Sequence, residues 1–297
     1  MKVVLDGKSL TIDQVHEVAR NHAAVELEPE ARETVARCRQ VAEDLMAKGE
    51  LIYGVTTGIG ELARVAVSGE ESEELQRRII RSHSAGVGDY FPEDQVRAAM
   101  LLRANVLARG YSAVRPVLLE TLIEMLNRNV VPAVNEKGSV GTSGDLTSLA
   151  QIGCALMGEG EAFVEGRLVS GREAMKQVGL APLTLSFKEG LALINGSQFF
   201  TGCGALCAYD ADRIIRNAVI ASAMSADALR TPMTPFDERI HKLRPFEGQV
   251  VVAENMRRLL AESELIAKGS DKVQDAYSIR CIPQVYSPSI DSLHYVM

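Results

Sequence analysis

One segment of the chain contains residue types that allow the backbone itself to react. Residues 138–146 read GSVGTSGDL, with three glycines within seven residues ahead of a predicted helix. If the backbone is compressed, the nitrogen of Gly144 can attack the carbonyl carbon of Thr142, and glycine suits this step because it lacks a Cβ. Loss of water from the new ring and from Ser143 then leaves a methylidene-imidazolone, a strong electrophile made without any added cofactor. A helix beginning at Leu146 would favour electron density arriving on that ring.

Other interpretations of this glycine-rich segment are weaker. A phosphate-binding loop of the Walker type requires a lysine after the last glycine, and Asp145 stands there instead. A dinucleotide fingerprint requires a buried strand before the glycines, and the sequence predicts none. A simple turn remains open. Cys203 and Cys207 lie four residues apart, but no further ligands have convincing spacing, so we expect no metal site.

Five motifs resemble one enzyme family, and they occur in the family's order. The run 138–153 (GSVGTSGDLTSLAQIG) is similar to the signature of the aromatic amino acid lyases, which include histidine, phenylalanine and tyrosine ammonia-lyases and related aminomutases. Most members have Ala-Ser-Gly, whereas this chain has Thr142. The other four motifs are residues 53–60 (YGVTTGIG), 81–88 (RSHSAGVG), 195–198 (NGSQ) and 274–281 (QDAYSIRC).

The resemblance implies a cofactor and a first set of roles in the chemistry. The cofactor is 4-methylidene-imidazol-5-one, formed autocatalytically from Thr142-Ser143-Gly144. Tyr53 is the implied base that removes the substrate β-proton, which requires a site that favours the phenolate. Its alternative is a tyrosine stacked on a glycine-rich loop. Asp145 is expected to orient the reactive loop, or else to be only an acidic residue at a helix N-terminus. Gly60 is expected to support the site.

The resemblance also implies which residues bind the substrate. Arg280 is expected to hold the substrate carboxylate, because a planar guanidinium offers two parallel hydrogen bonds. Its alternative is a surface ion pair. Asn195 is expected to bind near the electrophile and the substrate amine, unless it only forms a turn. Gln274 and the more chemical Tyr277 are expected to reach into the site of a neighbouring subunit.

The substrate prediction depends on His83. Ser82-His83 resembles the corresponding pair in histidine lyases, where the histidine would hydrogen-bond a substrate imidazole; the alternative is a core histidine satisfied by local backbone. The implied reaction is elimination of ammonia from L-histidine to give trans-urocanate. A phenylalanine or tyrosine ammonia-lyase stays open, and so does an aromatic 2,3-aminomutase, since some aminomutases share Thr142. A third alternative is a non-catalytic half-protein that needs a partner chain.

The elements that must position these residues are predicted from periodicity and turn residues. A first hairpin is expected at Lys2–Leu5 and Leu10–Ile12 around Asp6-Gly7, and a second at 162–169. Thr11 and Gln14 form a capping-box pattern. Residues 51–69 and 130–144 are predicted to be loops. Helices are predicted at about 11–22, 29–48, 72–83, 93–109, 117–129, 146–158, 197–229 and 251–267.

We therefore expect a mainly α fold. An N-terminal mixed domain with small β hairpins (1–196) carries the reactive loop, and 197–297 begins a long-helix bundle of the L-aspartase-like kind. The apolar helix at 197–229 is expected to be buried in such a bundle. The chain ends without a helix C-cap, which suggests that the C-terminal half of the bundle is missing. By resemblance the assembly is a homotetramer, and a second chain would supply the missing half.

Composition excludes several other classes. The net charge of −7 disfavours nucleic-acid binding, because phosphate neutralisation requires a basic face. We expect no membrane association, because no apolar run approaches the length of a membrane span. The N-terminus lacks the apolar stretch of a signal peptide, so a cytoplasmic protein is expected.

Overall fold

The computed structural model describes residues 2–50, 52–58, 60 and 69–297, and these are mostly helical. Contacts divide the chain into two compact units, one ending at Leu206 and the other comprising Cys207–Met297. The boundary falls within a single long helix, Gln198–Ala228. The mainly α fold class is confirmed. The functional division predicted at 196/197 stays a prediction.

The first unit combines helices with short strands. Its elements in chain order are β1 (Lys2–Leu5), α1 (Ile12–Arg20), β2 (Ala24–Leu27), α2 (Pro29–Ala47), α3 (Gly69–His83), β3 (Val87–Tyr90), α4 (Glu93–Ala108), α5 (Pro116–Asn127), β4 (Val131–Pro132), β5 (Asn135–Lys137), α6 (Leu146–Leu156), β6 (Glu161–Val164), β7 (Arg167–Ser170), α7 (Gly171–Gln177), α8 (Glu189–Ile194) and the beginning of α9 (Gln198–Ala228).

The predicted N-terminal hairpin is wrong. β1 pairs in parallel with β2, with Val3 opposite Val25, and α1 forms the crossover that a parallel pair requires. The Asp6 carboxylate accepts the backbone N–H groups of Lys8 and Ser9, which bends the chain away from a second strand. The helix then begins at the predicted capping box, where Thr11 and Gln14 exchange side chain–backbone hydrogen bonds.

The second predicted hairpin is confirmed. β6 and β7 pair antiparallel, and the turn residues Glu165 and Gly166 both have positive φ (51° and 72°), as a two-residue hairpin turn requires. The predicted loop at 130–144 contains two short strands instead. β4 pairs with β6, and β5 pairs with β3. The segment 138–146 therefore follows directly after a strand, β5, that is paired antiparallel with β3.

Helix α4 lies in the core of the first unit and carries two buried arginines, Arg97 and Arg103. Arg97 is 1% exposed. Its guanidinium donates to the carbonyl oxygens of Val18 (2.8 Å) and Leu126 (3.0 Å) and to Asn129 Oδ1 (2.7 Å). Val18 and Leu126 lie in the last turns of α1 and α5, where carbonyl groups lack intrahelical donors. Burial lowers the pKa of Arg97 to about 10, so the group remains a cation at neutral pH.

The described residues of the second unit form helices joined by loops and contain no strand. It contains the rest of α9, a 3-10 turn (Thr234–Phe236), α10 (Glu238–Lys242), α11 (Glu247–Leu260), α12 (Glu264–Ala267), α13 (Tyr277–Arg280) and α14 (Ile282–Val296). Its core includes Phe236, Val252 and Met256. The helix predicted at 251–267 is in fact two helices, because Ser263 accepts the backbone N–H of Ile266 and starts α12. No described helix is both long and apolar enough to span a bilayer.

The buried arginine of α4 gives a test of how helix ends are satisfied. Replacing Arg97 by Met leaves the carbonyl oxygens of Val18 and Leu126 without this donor, and each such loss costs about 1–3 kcal/mol. We expect Arg97→Met to lower the free energy of unfolding by about 2 kcal/mol or more, measured by urea denaturation. Arg37→Met is the control, because Arg37 lies on the surface and its loss should change stability by only about 0.5 kcal/mol. Equal effects would contradict the capping role of Arg97.

Candidate active site

The segment that precedes α6 is anchored at both ends. Thr147 Oγ1 donates to the carbonyl oxygen of Gly138 at 3.0 Å. At the other end, the backbone N–H of Asp145 donates to the carbonyl oxygen of Gly196 at 2.8 Å, and Gly144 forms an isolated parallel bridge with Gly196. The tripeptide Thr142-Ser143-Gly144 is therefore a short exposed turn between two fixed points.

Within this turn the backbone adopts a conformation that most residues avoid. Ser143 has φ of 55° and Gly144 has φ of 90°. A left-handed φ costs a residue with a side chain roughly 1–2 kcal/mol, so Ser143 is held there by its surroundings. A Cβ on Gly144 would collide with the carbonyl group of Gly196, well inside 3.0 Å. Position 144 therefore accepts only glycine, because any side chain there would overlap the backbone of Gly196.

The N-termini of two helices lie beside this turn. Leu146 is the first residue of α6, as predicted, and Asp145 precedes it as the N-cap. The buried carboxylate of Asp145 does not cap its own helix. Its Oδ2 accepts the backbone N–H of Phe200 at 2.9 Å, in the first turn of α9. Asp145 thereby joins two helix N-termini, whose partial positive charges lie beside the reactive tripeptide.

The motif containing His83 is packed against the beginning of the same segment. β3 begins within that motif, at Val87, and pairs with β5, with Val87 opposite Lys137. A Cβ on Gly138 would lie 3.1 Å from the Cα of Gly86, so the two glycines allow a close approach of the chains. The His83 motif and the loop at 138–145 are therefore neighbours.

The local hydrogen bonds of His83 determine which ring nitrogen remains available to a ligand. Nδ1 lies 2.8 Å from the carbonyl oxygen of Ile79, which can only accept, so Nδ1 carries the proton when the ring is neutral. Nε2 is then an acceptor. Nδ1 is satisfied by local backbone, as the alternative of a core histidine expects. The residue itself is half-buried and does not lie in the core.

Tyr53 lies in a turn that is stiffened by threonine hydroxyls. Thr56 Oγ1 accepts the N–H of Ile52 at 2.7 Å and Thr57 Oγ1 accepts the N–H of Gly54 at 3.2 Å. The phenol of Tyr53 is exposed, and its oxygen accepts the backbone N–H of Gly60 at 3.1 Å. Ile59 and the remaining part of the predicted loop at 61–68 lie outside the described residues.

The last three predicted site residues lie together in the second unit. The guanidinium of Arg280 stacks on Tyr277, with 4.7 Å between its carbon and the ring centroid. With its amide oxygen turned toward Arg280, Gln274 accepts from Nη1 at 2.9 Å and from Nε at 3.1 Å. Among the described residues Arg280 contacts Tyr277 and Gln274 and no carboxylate, and its role stays a prediction. Gln274 and Arg280 both line a pocket of about 380 Å³.

The neighbouring Asp275 fixes this second cluster to its surroundings. Its carboxylate accepts from Thr231 Oγ1 at 2.8 Å, from the Ala276 N–H at 2.8 Å and from Lys272 Nζ at 3.1 Å. The hydrogen bond from Thr231, followed by those from Ala276 and Lys272, lowers the pKa of Asp275 below its ordinary value. The carboxylate is therefore charged at neutral pH.

Sequence reasoning missed two residues at the reactive turn. Arg103 Nη1 donates to Gln198 Oε1 at 2.6 Å and to the carbonyl oxygen of Asn195 at 3.0 Å. The available signals were an arginine in the mostly apolar run AAMLLRANVLA and a glutamine at the end of the motif 195–198. Neither signal distinguishes a contact with the loop from an ordinary polar residue, because it takes the fold to bring α4 beside that motif.

The chain belongs to the aromatic amino acid lyase family. The profile of that family, described as aromatic amino acid lyase, matches residues 10–297. The chain is 48% identical over 296 residues to histidine ammonia-lyase of Caldanaerobacter subterraneus subsp. tengcongensis, and the match covers 99% of this chain and 58% of the relative. It is 47% identical over 297 residues to the histidine ammonia-lyase of Alkaliphilus metalliredigens, covering 100% of this chain and 59% of the relative.

Solved structures agree with this membership. The structure of tyrosine aminomutase from Streptomyces globisporus matches with a TM-score of 0.88 at 38% identity, covering 99% of this chain and 59% of that one. Histidine ammonia-lyase from Trypanosoma cruzi matches with a TM-score of 0.89 at 34% identity, covering 99% and 55%. The chain thus spans somewhat more than half the length of the relatives it matches.

Two glycines of the reactive loop provide a matched test of the close approach. Gly141 and Gly144 both have positive φ, but a Cβ on Gly141 would meet no atom within 4 Å. Gly141→Ala should therefore cost about 1 kcal/mol for its φ alone. Gly144→Ala should cost a further ~1–3 kcal/mol because it forces Gly144 and Gly196 apart. The measurement is the free energy of unfolding of both variants. If the two costs were equal, the contact would not constrain the loop.

Proposed function

We propose that the protein is an ammonia-lyase that forms its own electrophile from Thr142-Ser143-Gly144 and acts on L-histidine to give trans-urocanate. The observation that carries this proposal is the turn at Thr142-Ser143-Gly144, in which Gly144 contacts the Gly196 backbone and Ser143 has a left-handed φ. Family membership and the 47–48% identity to two histidine ammonia-lyases support it.

Ring formation needs no partner beyond this chain. The nitrogen of Gly144 bonds to the carbonyl carbon of Thr142, and the carbonyl oxygen leaves as water. Ser143 then loses its hydroxyl and its α-hydrogen as a second water, so no oxidant or reductant is consumed. Once formed, the 4-methylidene-imidazol-5-one would supply an electrophile for the substrate amine, which would make that amine a better leaving group. The N-termini of α6 and α9, which Asp145 joins, favour electron density on this loop.

Tyr53 is the proposed base for the substrate β-proton. The Gly60 N–H donates to its oxygen and so fixes the position of the phenol. The hydroxyls of Thr56 and Thr57 hold the turn, which limits the motion of the phenol. Asn195 presents an exposed amide beside the reactive turn, and we assign it to the substrate amine.

Arg280 is the proposed partner of the substrate carboxylate. Its charge is not used by any described acidic side chain, and its plane is held by Tyr277 and Gln274. A guanidinium held in this way can donate two parallel hydrogen bonds to a carboxylate. From the family resemblance we also propose a cytoplasmic homotetramer in which Gln274 and Tyr277 serve a neighbouring subunit's site. A second chain could supply the part of the bundle that the longer relatives contain.

His83 supports histidine as the substrate. With Nδ1 donating to the Ile79 carbonyl oxygen, Nε2 is left to accept a hydrogen bond from a substrate imidazole N–H. A phenyl side chain has no such donor. The second candidate is an aromatic 2,3-aminomutase, which the 38% identical tyrosine aminomutase structure favours. A mutase adds the eliminated ammonia back to the substrate at the β-carbon, so no free ammonia accumulates.

The function is tested by intact mass and by product analysis on the same sample. We expect the mass of the chain to be lower than the sequence mass by two water molecules, and we expect urocanate and free ammonia from L-histidine. Ser143→Ala is the control, because it removes the hydroxyl that leaves as the second water. A β-amino acid formed from L-tyrosine or L-phenylalanine would favour the mutase. An unchanged wild-type mass in the assembled protein would refute the electrophile and favour a non-catalytic half-protein.

The substrate assignment is tested at His83. Replacing His83 by Leu removes the Nε2 acceptor, and an unmatched polar partner costs about 1–3 kcal/mol. We therefore expect kcat/KM for L-histidine to fall by about 10- to 100-fold in His83→Leu. Turnover of L-phenylalanine, measured on the same preparation, is the internal control and should not fall. If both substrates lost activity equally, His83 would not select the imidazole.

A further inference from the structure

A buried cation on α4, Arg103, contacts the segment 195–198 that packs against the turn at Thr142-Ser143-Gly144. Arg103 is 3% exposed, and no described carboxylate pairs with it. Desolvation lowers the pKa of Arg103 to about 10, which leaves the group protonated at neutral pH. Burying a charge without a counter-ion is unfavourable unless dipoles compensate it. The position of these compensating dipoles indicates what the residue does.

The guanidinium of Arg103 binds the end of α8 and the beginning of α9. It donates to the carbonyl oxygens of Asn195 and Ala192, which lie at the negative end of α8. It also donates to Gln198 Oε1 at 2.6 Å. Its Nε has no hydrogen-bond partner among the described residues, so the arginine is held at these positions although one of its donors is unsatisfied.

Gly196 lies between this cation and the reactive turn. A Cβ on Gly196 would lie 2.6 Å from Arg103 Nη1 and would collide with Gln198 Oε1. In the other direction, the Gly196 carbonyl group meets Gly144 and accepts the N–H of Asp145. Arg103 and Gln198 are thus in contact with Gly196, and Gly196 is in contact with Gly144. Movement of the guanidinium would remove the support behind Gly196.

We propose that Arg103, acting with Gln198, is a positioning residue that holds Gly196 against Gly144 and so keeps Thr142-Ser143-Gly144 compact until the ring closes. This inference rests on the proposed function, because ring closure is part of it. Arg103 touches none of the reacting atoms and acts only through Gly196. The covalent change is the one already balanced above: one N–C bond forms and two water molecules leave.

The matched control is the other buried arginine of the same helix. Arg97 also caps helix C-termini, and burial also lowers its pKa to about 10, but its carbonyl partners belong to α1 and α5. A purely structural effect of losing a buried arginine should therefore be seen in Arg97→Met as well. Only loss of the support behind Gly196 is specific to Arg103→Met.

The first readout is the time course of maturation, followed by intact mass after synthesis of the whole chain. We expect Arg103→Met to lose its two water molecules about 10- to 100-fold more slowly than wild type, because small misplacements of reacting groups have effects of this size. Arg97→Met should mature at the wild-type rate despite its lower stability. Equal slowing in both variants would overturn the proposal. If Arg103→Met does not fold, Gln198→Met decides, because Gln198 is half-buried and contacts the same face of Gly196.

The second readout does not depend on ring closure. The N–H of Asp145 is bonded to the Gly196 carbonyl oxygen, so its hydrogen exchange reports directly on this contact. We expect exchange of that amide to accelerate by about tenfold or more in Arg103→Met and to be unchanged in Arg97→Met. Unchanged exchange in Arg103→Met and in Gln198→Met would overturn the inference. If the wild-type chain keeps its full mass, the proposed function is refuted. If exchange of the Asp145 amide is nevertheless faster in Arg103→Met, the inference that Arg103 holds Gly196 in place still stands.

Discussion

The contact between Gly144 and the carbonyl group of Gly196 is the constraint on which the rest of the site depends. It brings the loop before α6 against the short link between α8 and α9, at a distance that no side chain on residue 144 would permit. The hydrogen bond from the Asp145 N–H to the same carbonyl fixes the register of that contact. The beginning of α6, the end of α8 and the beginning of α9 therefore lie close together in space beside one tripeptide.

Helix ends supply most of the electrostatics around this contact. Asp145 places its carboxylate at the N-terminus of α9 while standing at the N-terminus of α6. Arg103 places its charge at the C-terminal carbonyl groups of α8. Each buried charge is thus compensated by helix dipoles of opposite sign, which hold their orientation because the helices are packed.

The proposed chemical groups are divided between the two units of the chain. The reactive turn, Tyr53 and His83 belong to the first unit, and Arg280 with Tyr277 and Gln274 belongs to the second. Each group is held locally by hydrogen bonds from its own unit, through threonine hydroxyls at Tyr53 and through Asp275 near Arg280. A functional division of the protein consequently need not coincide with its structural one.

Local sequence was sufficient where short-range chemistry decides the structure. The capping box at Thr11, the hairpin at Glu165-Gly166, the beginning of α6 and most helix bounds follow from residues within a few positions of each other. The candidate site residues also came from local motifs, because each motif carries its own glycines and polar groups. The predicted first hairpin was wrong because the partner of β1 is β2, which lies beyond a helix, and Asp6-Gly7 alone cannot reveal that partner.

The sequence by itself therefore indicated the family and the mainly α class, and it singled out the tripeptide that we propose to cyclise. Only the tertiary structure showed that Gly196 contacts Gly144 and that Asp145 accepts a hydrogen bond from the first turn of α9. It also showed that Arg103 donates to Gln198. The physical reason is separation along the chain. These contacts join residues about 50 to 95 positions apart, and their geometry depends on how whole helices pack, which no local pattern of residues encodes.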